Sequence, residues 1–547
     1  MALLWAPAAN AATAVFPGVT YAHVLRYTPH GTASLYIVRG PRPVGRYSLQ
    51  PVLSNGAIVG RETVSSIERD VSAQVTSIGV NGDFFNWGGG WPTGILMRNG
   101  ALDHQPHPRR SSLGIDATGT LHVDRVSLDS TWQGTGIAHP LNELNDPVAA
   151  NHVGLYTPAW GTTTPSAGED AVAAVLANVP PAVPGAQISG AVTMIGDGSP
   201  TQIPPGGAVL VGRGRAAPTV FSEAAEGTRV RIGLALSPWT SGMVGALGGG
   251  PLLVRNGRST VDTSEALTPV QLFGDDPRTA VGQRADGGIV LLVVDGRQRG
   301  SVGMTNAELA QELLRQGCVT GLALDSGGSS TIALDGRVLN HPSDSTGERP
   351  VAEALLLTYT GVYVPDPTAA VLSPNGDGVG ERERLSYKVV RPSTVTATLV
   401  APDGAEQQVF TGARPPGRYS FTWDGAGAAE GRWRWRVVAA DDLGQTSAER
   451  TFQLDRTLGF VRAKADRKHV TVRLTLKRPA DVRVTVAGRF GEALRRVHPG
   501  PLAAGRKRLR FSARDGRGRK LGGRYTLTVS ETSAVGTARE SVPLRVP

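Results

Sequence analysis

The 547-residue sequence contains one cysteine, Cys318, which excludes internal disulfides and cysteine-rich metal sites. No apolar run approaches the ~18–20 residues that a membrane-spanning helix requires. There is no H-E-x-x-H, no G-x-S-x-G, no Walker A loop and no dinucleotide fingerprint, so zincin, serine-hydrolase and nucleotide-binding readings have no motif behind them. The 70 glycines and 38 prolines follow no Gly-X-Y period, which excludes collagen and points to short strands and many turns. At 40% hydrophobic and 19% charged residues the chain supports packed cores, and wholesale disorder is excluded.

At roughly 150 residues per domain the length suggests three or four domains. Residues 1–11, ending Ala9-Asn10-Ala11, read as the end of a truncated signal peptide: there is an A-x-A site, but the positive n-region is missing. Residues 12–363 read as one large α+β domain, and residues 364–367 as a linker. The last 180 residues carry a weak repeat. Gly417-Arg418-Tyr419, Asp424-Gly425 and Gly431-Arg432-Trp433 recur as Gly505-Arg506-Lys507, Asp515-Gly516 and Gly523-Arg524-Tyr525. That period suits two tandem β-sandwich modules, 367–454 and 455–547. The second holds 23 Lys and Arg against 7 Asp and Glu, so the net charge of +10 resides in the C-terminal sixth of the chain. Anionic partners are expected there. Few aromatics accompany that charge and no nucleic-acid reader motif is present, which argues against nucleic acid.

The apolar run 289–294 reads as a buried strand ending at Asp295. Thr305, with Glu308 three residues on, opens a helix that Gly317 ends. A second strand, 320–324, leads into Asp325-Ser326-Gly327-Gly328-Ser329-Ser330. Strand, helix and strand at this spacing predict parallel strands whose ends, and so Asp295 and Asp325, share one rim. The alanine-rich stretch 169–179 is expected to be helical.

Several short motifs have ligand-binding potential beside plainer structural readings. The glycine pair after Asp325 permits close backbone approach to a ligand, or is an ordinary tight turn. Arg278-Thr279 offers an anion a fork and a hydroxyl, or ends a strand at the surface. Arg349 is a second such arginine, and Asn81-Gly82-Asp83-Phe84-Phe85 combines a carboxylate with aromatics that also suit a core. His104 and His107 are weak metal candidates, and no metal is assigned.

Taken in order, Asn81-Gly82-Asp83-Phe84-Phe85, Gly248-Gly249-Gly250-Pro251-Leu252-Leu253, Arg278-Thr279-Ala280-Val281-Gly282, Val294-Asp295-Gly296-Arg297, Gly303-Met304-Thr305, Leu324-Asp325-Ser326-Gly327-Gly328-Ser329-Ser330 and Glu348-Arg349-Pro350-Val351-Ala352 resemble the phosphodiester glycosidase family, of the N-acetylglucosamine-1-phosphodiester α-N-acetylglucosaminidase type. The resemblance covers about residues 20–363. Ser326 departs from it, standing where the family typically has glycine. It implies a hydrolase that cleaves the sugar C1–O bond of sugar-1-phosphodiesters. Asp325 and Asp83 are the implied catalytic carboxylates. Asn81, Phe84, Arg278, Thr279, Asp295, Gly327, Gly328, Ser329 and Arg349 are the implied substrate-binding residues.

Residues 367–454 look like the Ig-like modules of bacterial exported proteins. Within them Ser373-Pro374-Asn375-Gly376-Asp377-Gly378 is similar to a calcium loop without its bidentate glutamate, which makes calcium the candidate cofactor of this module. The expectation is an exported or surface-associated enzyme acting on envelope polymers. Its rival is a non-catalytic surface protein that binds glycans or wall polymer.

Overall fold

The computed structural model describes residues 12–547 except 241, 370, 489 and 490, so the leader-like segment 1–11 lies outside the described residues. Strands account for 52% of the chain and helices for 7%. The chain is thus mostly β, and its described α-helices lie in the first unit. The chain divides into two compact units, Met1–Thr360 and Gly361–Pro547. Val364, at the start of the expected linker, and Val362 before it are buried in a core of the second unit.

In the first unit an eight-stranded sheet is centred on Ile289–Val294, Arg278–Arg284 and Cys318–Ala323. The outer two both run antiparallel to Arg278–Arg284 between them, so they are parallel to each other. Helix Asn306–Arg315 makes the crossover, opened by the Thr305–Glu308 capping box and closed at Gly317, φ +82°. The two strands therefore end on one rim. A five-stranded sheet places the fully buried strand Thr76–Asn81 between Ile332–Leu334 and Glu353–Tyr359. The Asp325 amide donates to the Gly82 carbonyl at 3.0 Å, which ties the rims of the two sheets together.

The alanine-rich stretch is a strand, Ala171–Ala177, between Ile188–Asp197 and Ala208–Arg213. Ala174 and Leu176 enter one apolar core, and Ala171, Ala173 and Val175 enter another. Alternate residues thus serve two cores, and this tertiary demand overrides alanine's helical propensity.

The second unit contains two apolar cores, one around Trp435, Leu399 and Tyr387 and one around Val472, Val484 and Leu527. Each lies among strands of one larger and one smaller antiparallel-rich sheet. The repeat glycines take equivalent places: Gly417 and Gly505 begin strands of the smaller sheets, and Gly431 and Gly523 begin central strands of the larger ones. In the Ser373–Gly378 loop, Asp377 accepts amides of Val379 and Phe460, and Glu381 those of Gly376 and Gly378. Backbone donors thus occupy oxygens that a cation would need. No metal-binding cluster of His, Cys, Asp or Glu occurs among the described residues.

Candidate active site

Asn81 ends its strand with its side chain pointed into the seam between the sheets. Its Nδ2 donates to the Asp325 carbonyl at 2.9 Å, and its Oδ1 accepts from Thr279 Oγ1 at 2.7 Å and the Thr331 amide at 3.2 Å. Both Asn81 and Thr279 are buried. They clamp the segments that carry the acidic residues and are not part of the cleft lining.

Asp325 is half-buried and lines a cleft of ≈ 260 Å³ together with Phe84, Trp87, Arg297, Gly327, Gly328 and Arg349. Its Oδ1 accepts the Ser326 amide at 2.8 Å and its Oδ2 the Ser329 hydroxyl at 2.5 Å. Ser329 Oγ lies 3.4 Å from Arg349 Nη1, so a serine links carboxylate and guanidinium. Burial pushes the Asp325 carboxyl up to about 6, against the lowering effect of Ser329, the Ser326 amide and Arg349, while the charge of Asp83 pushes it further up.

Asp83 is buried behind this surface, paired through both oxygens with Arg110 at 3.3 Å. The Asp83 amide donates to Glu353 Oε1 at 2.6 Å, and Glu353 Oε2 has no hydrogen-bond partner among the described residues. Burial, then the charge of Asp83, hold the Glu353 carboxyl well above its ordinary range. Three carboxyl groups therefore share one low-dielectric neighbourhood, and of these Asp325 lines the cleft. Nothing in the sequence around Glu353 singled it out; the antiparallel pairing of its strand with Thr76–Asn81 brings it there.

Arg349 is held by Asp344 through Nε (2.7 Å) and Nη2 (2.9 Å), with its guanidinium carbon 5.0 Å from the centre of the Trp87 ring. A Cβ at Gly328 would fall 2.0 Å from Asp344 Oδ1 and 2.1 Å from Arg349 Nη2, so only glycine lets this pair lie against the turn. The Gly327 amide donates to Pro277 O at 2.9 Å and is not free for a ligand.

Arg278 and Asp295 stand apart from the cleft. Arg278 is buried, and its guanidinium donates to the carbonyls of Met304 (3.0 Å), Gln271 (2.8 Å) and Gly274. It braces the C-terminal end of the short helix Pro269–Phe273, whose Gln271 lines the cleft. Asp295 accepts from Tyr36 Oη at 2.8 Å, Asn340 Nδ2 at 3.0 Å and the His341 amide at 3.1 Å. Both were expected to contact substrate, and both instead satisfy buried polar groups of the scaffold. The second cleft arginine is Arg297, two residues beyond Asp295. Its Nε pairs with Asp276 at 2.9 Å, and its guanidinium comes within 3.3 Å of where a Gly327 side chain would begin. The motif Val294-Asp295-Gly296-Arg297 contained it, but only its left-handed φ of 57° turns the side chain toward the glycine turn.

One cleft thus brings together Asp325, two arginines and a glycine turn. Residues 184–358 form a phosphodiester glycosidase family domain. This domain contains Arg297, Asp325, Arg349 and Glu353, while Asn81 and Asp83 precede it. The chain is 39% identical over 143 residues to the SPbeta prophage-derived uncharacterized protein YomE of Bacillus subtilis, covering 26% of this chain and 22% of that protein. It is 38% identical over 102 residues to N-acetylglucosamine-1-phosphodiester alpha-N-acetylglucosaminidase of Bos taurus, covering 17% and 19%. The chain thus spans about a fifth of the length of these curated relatives. Among solved structures, a hypothetical protein from Synechocystis aligns with a TM-score of 0.54 at 24% identity over 62% of each chain. A candidate exported protein from Burkholderia pseudomallei aligns at 0.50 and 24%, over 61% of this chain and 75% of that one. These two likenesses concern the fold.

Proposed function

We propose that the first unit hydrolyses the sugar C1–O bond of a sugar-1-phosphodiester such as a phosphodiester of N-acetylglucosamine-1-phosphate. The observation that carries this reading is one cleft lined by a carboxylate, Asp325, and two arginines, Arg297 and Arg349, in the stretch that matches the phosphodiester glycosidase family. Cleavage at C1 expels a phosphate monoester, a much weaker base than an alkoxide, so its departure needs less protonation than that of a sugar hydroxyl. Fixed cations stabilise the departing charge instead, a role the two arginines fill. Asp325 acts at C1, as nucleophile or as base toward water, and a carboxyl near pKa 6 is suited to either. The charge of Asp83 behind it, together with burial, keeps its proton affinity high.

Incubation with methyl N-acetylglucosamine-1-phosphate and detection of free N-acetylglucosamine tests the activity. Release of the sugar phosphate instead, or no turnover at all, overturns it. The anomer first formed, read by proton NMR, separates attack by the carboxylate (retention) from attack by water (inversion).

The proposal extends to an exported protein held on anionic envelope polymer by residues 455–547. Support comes from the charge of that segment and from the exported description of one fold neighbour. It also comes from three exposed arginines in direct cross-strand register, Arg462 opposite Arg473 and Arg473 opposite Arg508. Like charges directly opposite on a sheet each cost roughly 0.2–1 kcal/mol, a cost that an anionic partner removes.

A further inference from the structure

Trp87 is a large apolar side chain left 63% exposed, and the surrounding loop is built to hold it there. Asn86 Oδ1 accepts the amides of Gly88 (2.8 Å) and Gly89 (3.0 Å), and the Gly60 amide donates to the Gly89 carbonyl at 3.1 Å. Gly90, at φ +81°, lies so close to Gly60 that a Cβ would sit 2.5 Å from the Gly60 oxygen. The loop is thereby fastened to the segment that carries Arg61.

The indole separates two cavities. On one side is the cleft of Asp325. On the other is a larger cavity of ≈ 540 Å³, lined by Arg61, Trp87, Asp344, Thr346 and Arg349. Arg349 and Trp87 line both. The guanidinium carbons of Arg349 and Arg61 lie 5.0 and 5.9 Å from the centre of the same indole ring. Arg349 is paired with Asp344, whereas Arg61 forms no ion pair with a described residue, and its guanidinium lies over the Phe85 and Trp87 rings.

We infer that the cavity beyond Trp87 receives the aglycone of the substrate, and that Arg61 binds a second anionic group carried by that aglycone. The inference rests on the hydrolase reading for its orientation. With C1 at Asp325, the sugar occupies the smaller cleft and the scissile phosphate meets Arg349 at the boundary. The alcohol portion then passes over Trp87 into the larger cavity. An uncompensated cation at the far edge of an aromatic platform selects an anion. The substrate class is accordingly a sugar-1-phosphodiester whose alcohol bears a further phosphate or carboxylate, as in a phosphate-linked chain.

The test uses the full-length protein and three esters of N-acetylglucosamine-1-phosphate: with methanol, with glycerol 3-phosphate and with glycerate. Wild type, R61Q and R61K are compared at low and high salt, by kinetics and by binding calorimetry. R61Q should raise KM for an anion-bearing ester about fivefold, equivalent to about 1 kcal/mol, leaving kcat unchanged and the methyl ester unaffected. R61K should recover most of the loss, and high salt should erase the difference. Loss confined to one charged ester identifies phosphate or carboxylate as the preferred anion. Equal KM for all three esters in the wild type, or an equal effect of R61Q on the methyl ester, overturns the inference. If no ester is cleaved, Arg61-dependent binding of a charged ester upholds the subsite while the hydrolase reading falls. Absence of any such binding overturns both.

Discussion

Replacing Asp325 by asparagine removes the carboxylate while keeping its size, and the amide can still pair with Ser329. We expect kcat to fall by about 10²–10⁴-fold, the usual range for a lost acid–base group, with the fold retained. Wild-type kcat/KM should rise with pH through about 6 as Asp325 ionises; a flat profile from pH 5 to 8 would remove that group from the rate. The same shift has a stability consequence. The folded carboxyl is raised above its unfolded value, so the native state binds the extra proton. Its stabilising contribution is complete below about pH 4 and is lost as pH rises through about 6. D325N should therefore gain on the order of 1–3 kcal/mol over wild type at pH 7.5 and nothing near pH 4, as read by denaturant unfolding. The arginines separate in the opposite sense. R278Q strips buried carbonyls of charged donors, which costs about 1–3 kcal/mol per unsatisfied group, and should lower Tm sharply. R297Q and R349Q should leave Tm nearly unchanged and reduce kcat/KM.

At the scale of the element, the turn after Asp325 works through what glycine omits. Gly328→Ala would drive a methyl group into the Asp344–Arg349 pair. The strand before the turn need not move, but the guanidinium must. A displacement of about 1 Å at a positioning group costs roughly 10²-fold in rate, so G328A should be folded, weakly active, and unable to regain activity by KM adjustment at high substrate. A G328A enzyme with wild-type kcat would show that Arg349 is not positioned by the turn.

At the scale of the molecule, the division at Thr360 predicts that residues 12–360 are active alone on a small soluble ester, since every cleft residue lies within them. A folded but inactive fragment would show that the second unit completes the site. The arginine row predicts salt-sensitive attachment to polyanionic envelope material. Replacing Arg462, Arg473 and Arg508 together by glutamine should weaken co-sedimentation with purified envelope more than removing three exposed arginines that lie out of register. Equal loss from both triple variants would assign the attachment to net charge alone.

Much of this was legible in the residues themselves. Capping chemistry is local, so Thr305, Glu308 and Gly317 marked their helix. A continuous apolar run is buried wherever it lies, so the strand ending at Asp295 was plain, and crossover handedness and spacing then placed Asp295 and Asp325 on one rim. Family motifs pointed to Asp325, Arg349 and the glycine turn. What one chain segment cannot specify is which way a side chain faces once a second segment covers it. Asp83 looked like a cleft acid until Arg110, 27 residues away, closed over it. Arg278 and Asp295 looked like ligand contacts, yet each answers polar groups supplied by other segments of the scaffold. Arg297, Glu353 and Arg61 gained their importance only from strands and loops distant in sequence. The alanine-rich strand makes the same point for backbone: its intrinsic preference is helical, and only the two cores packed against its opposite faces decided otherwise.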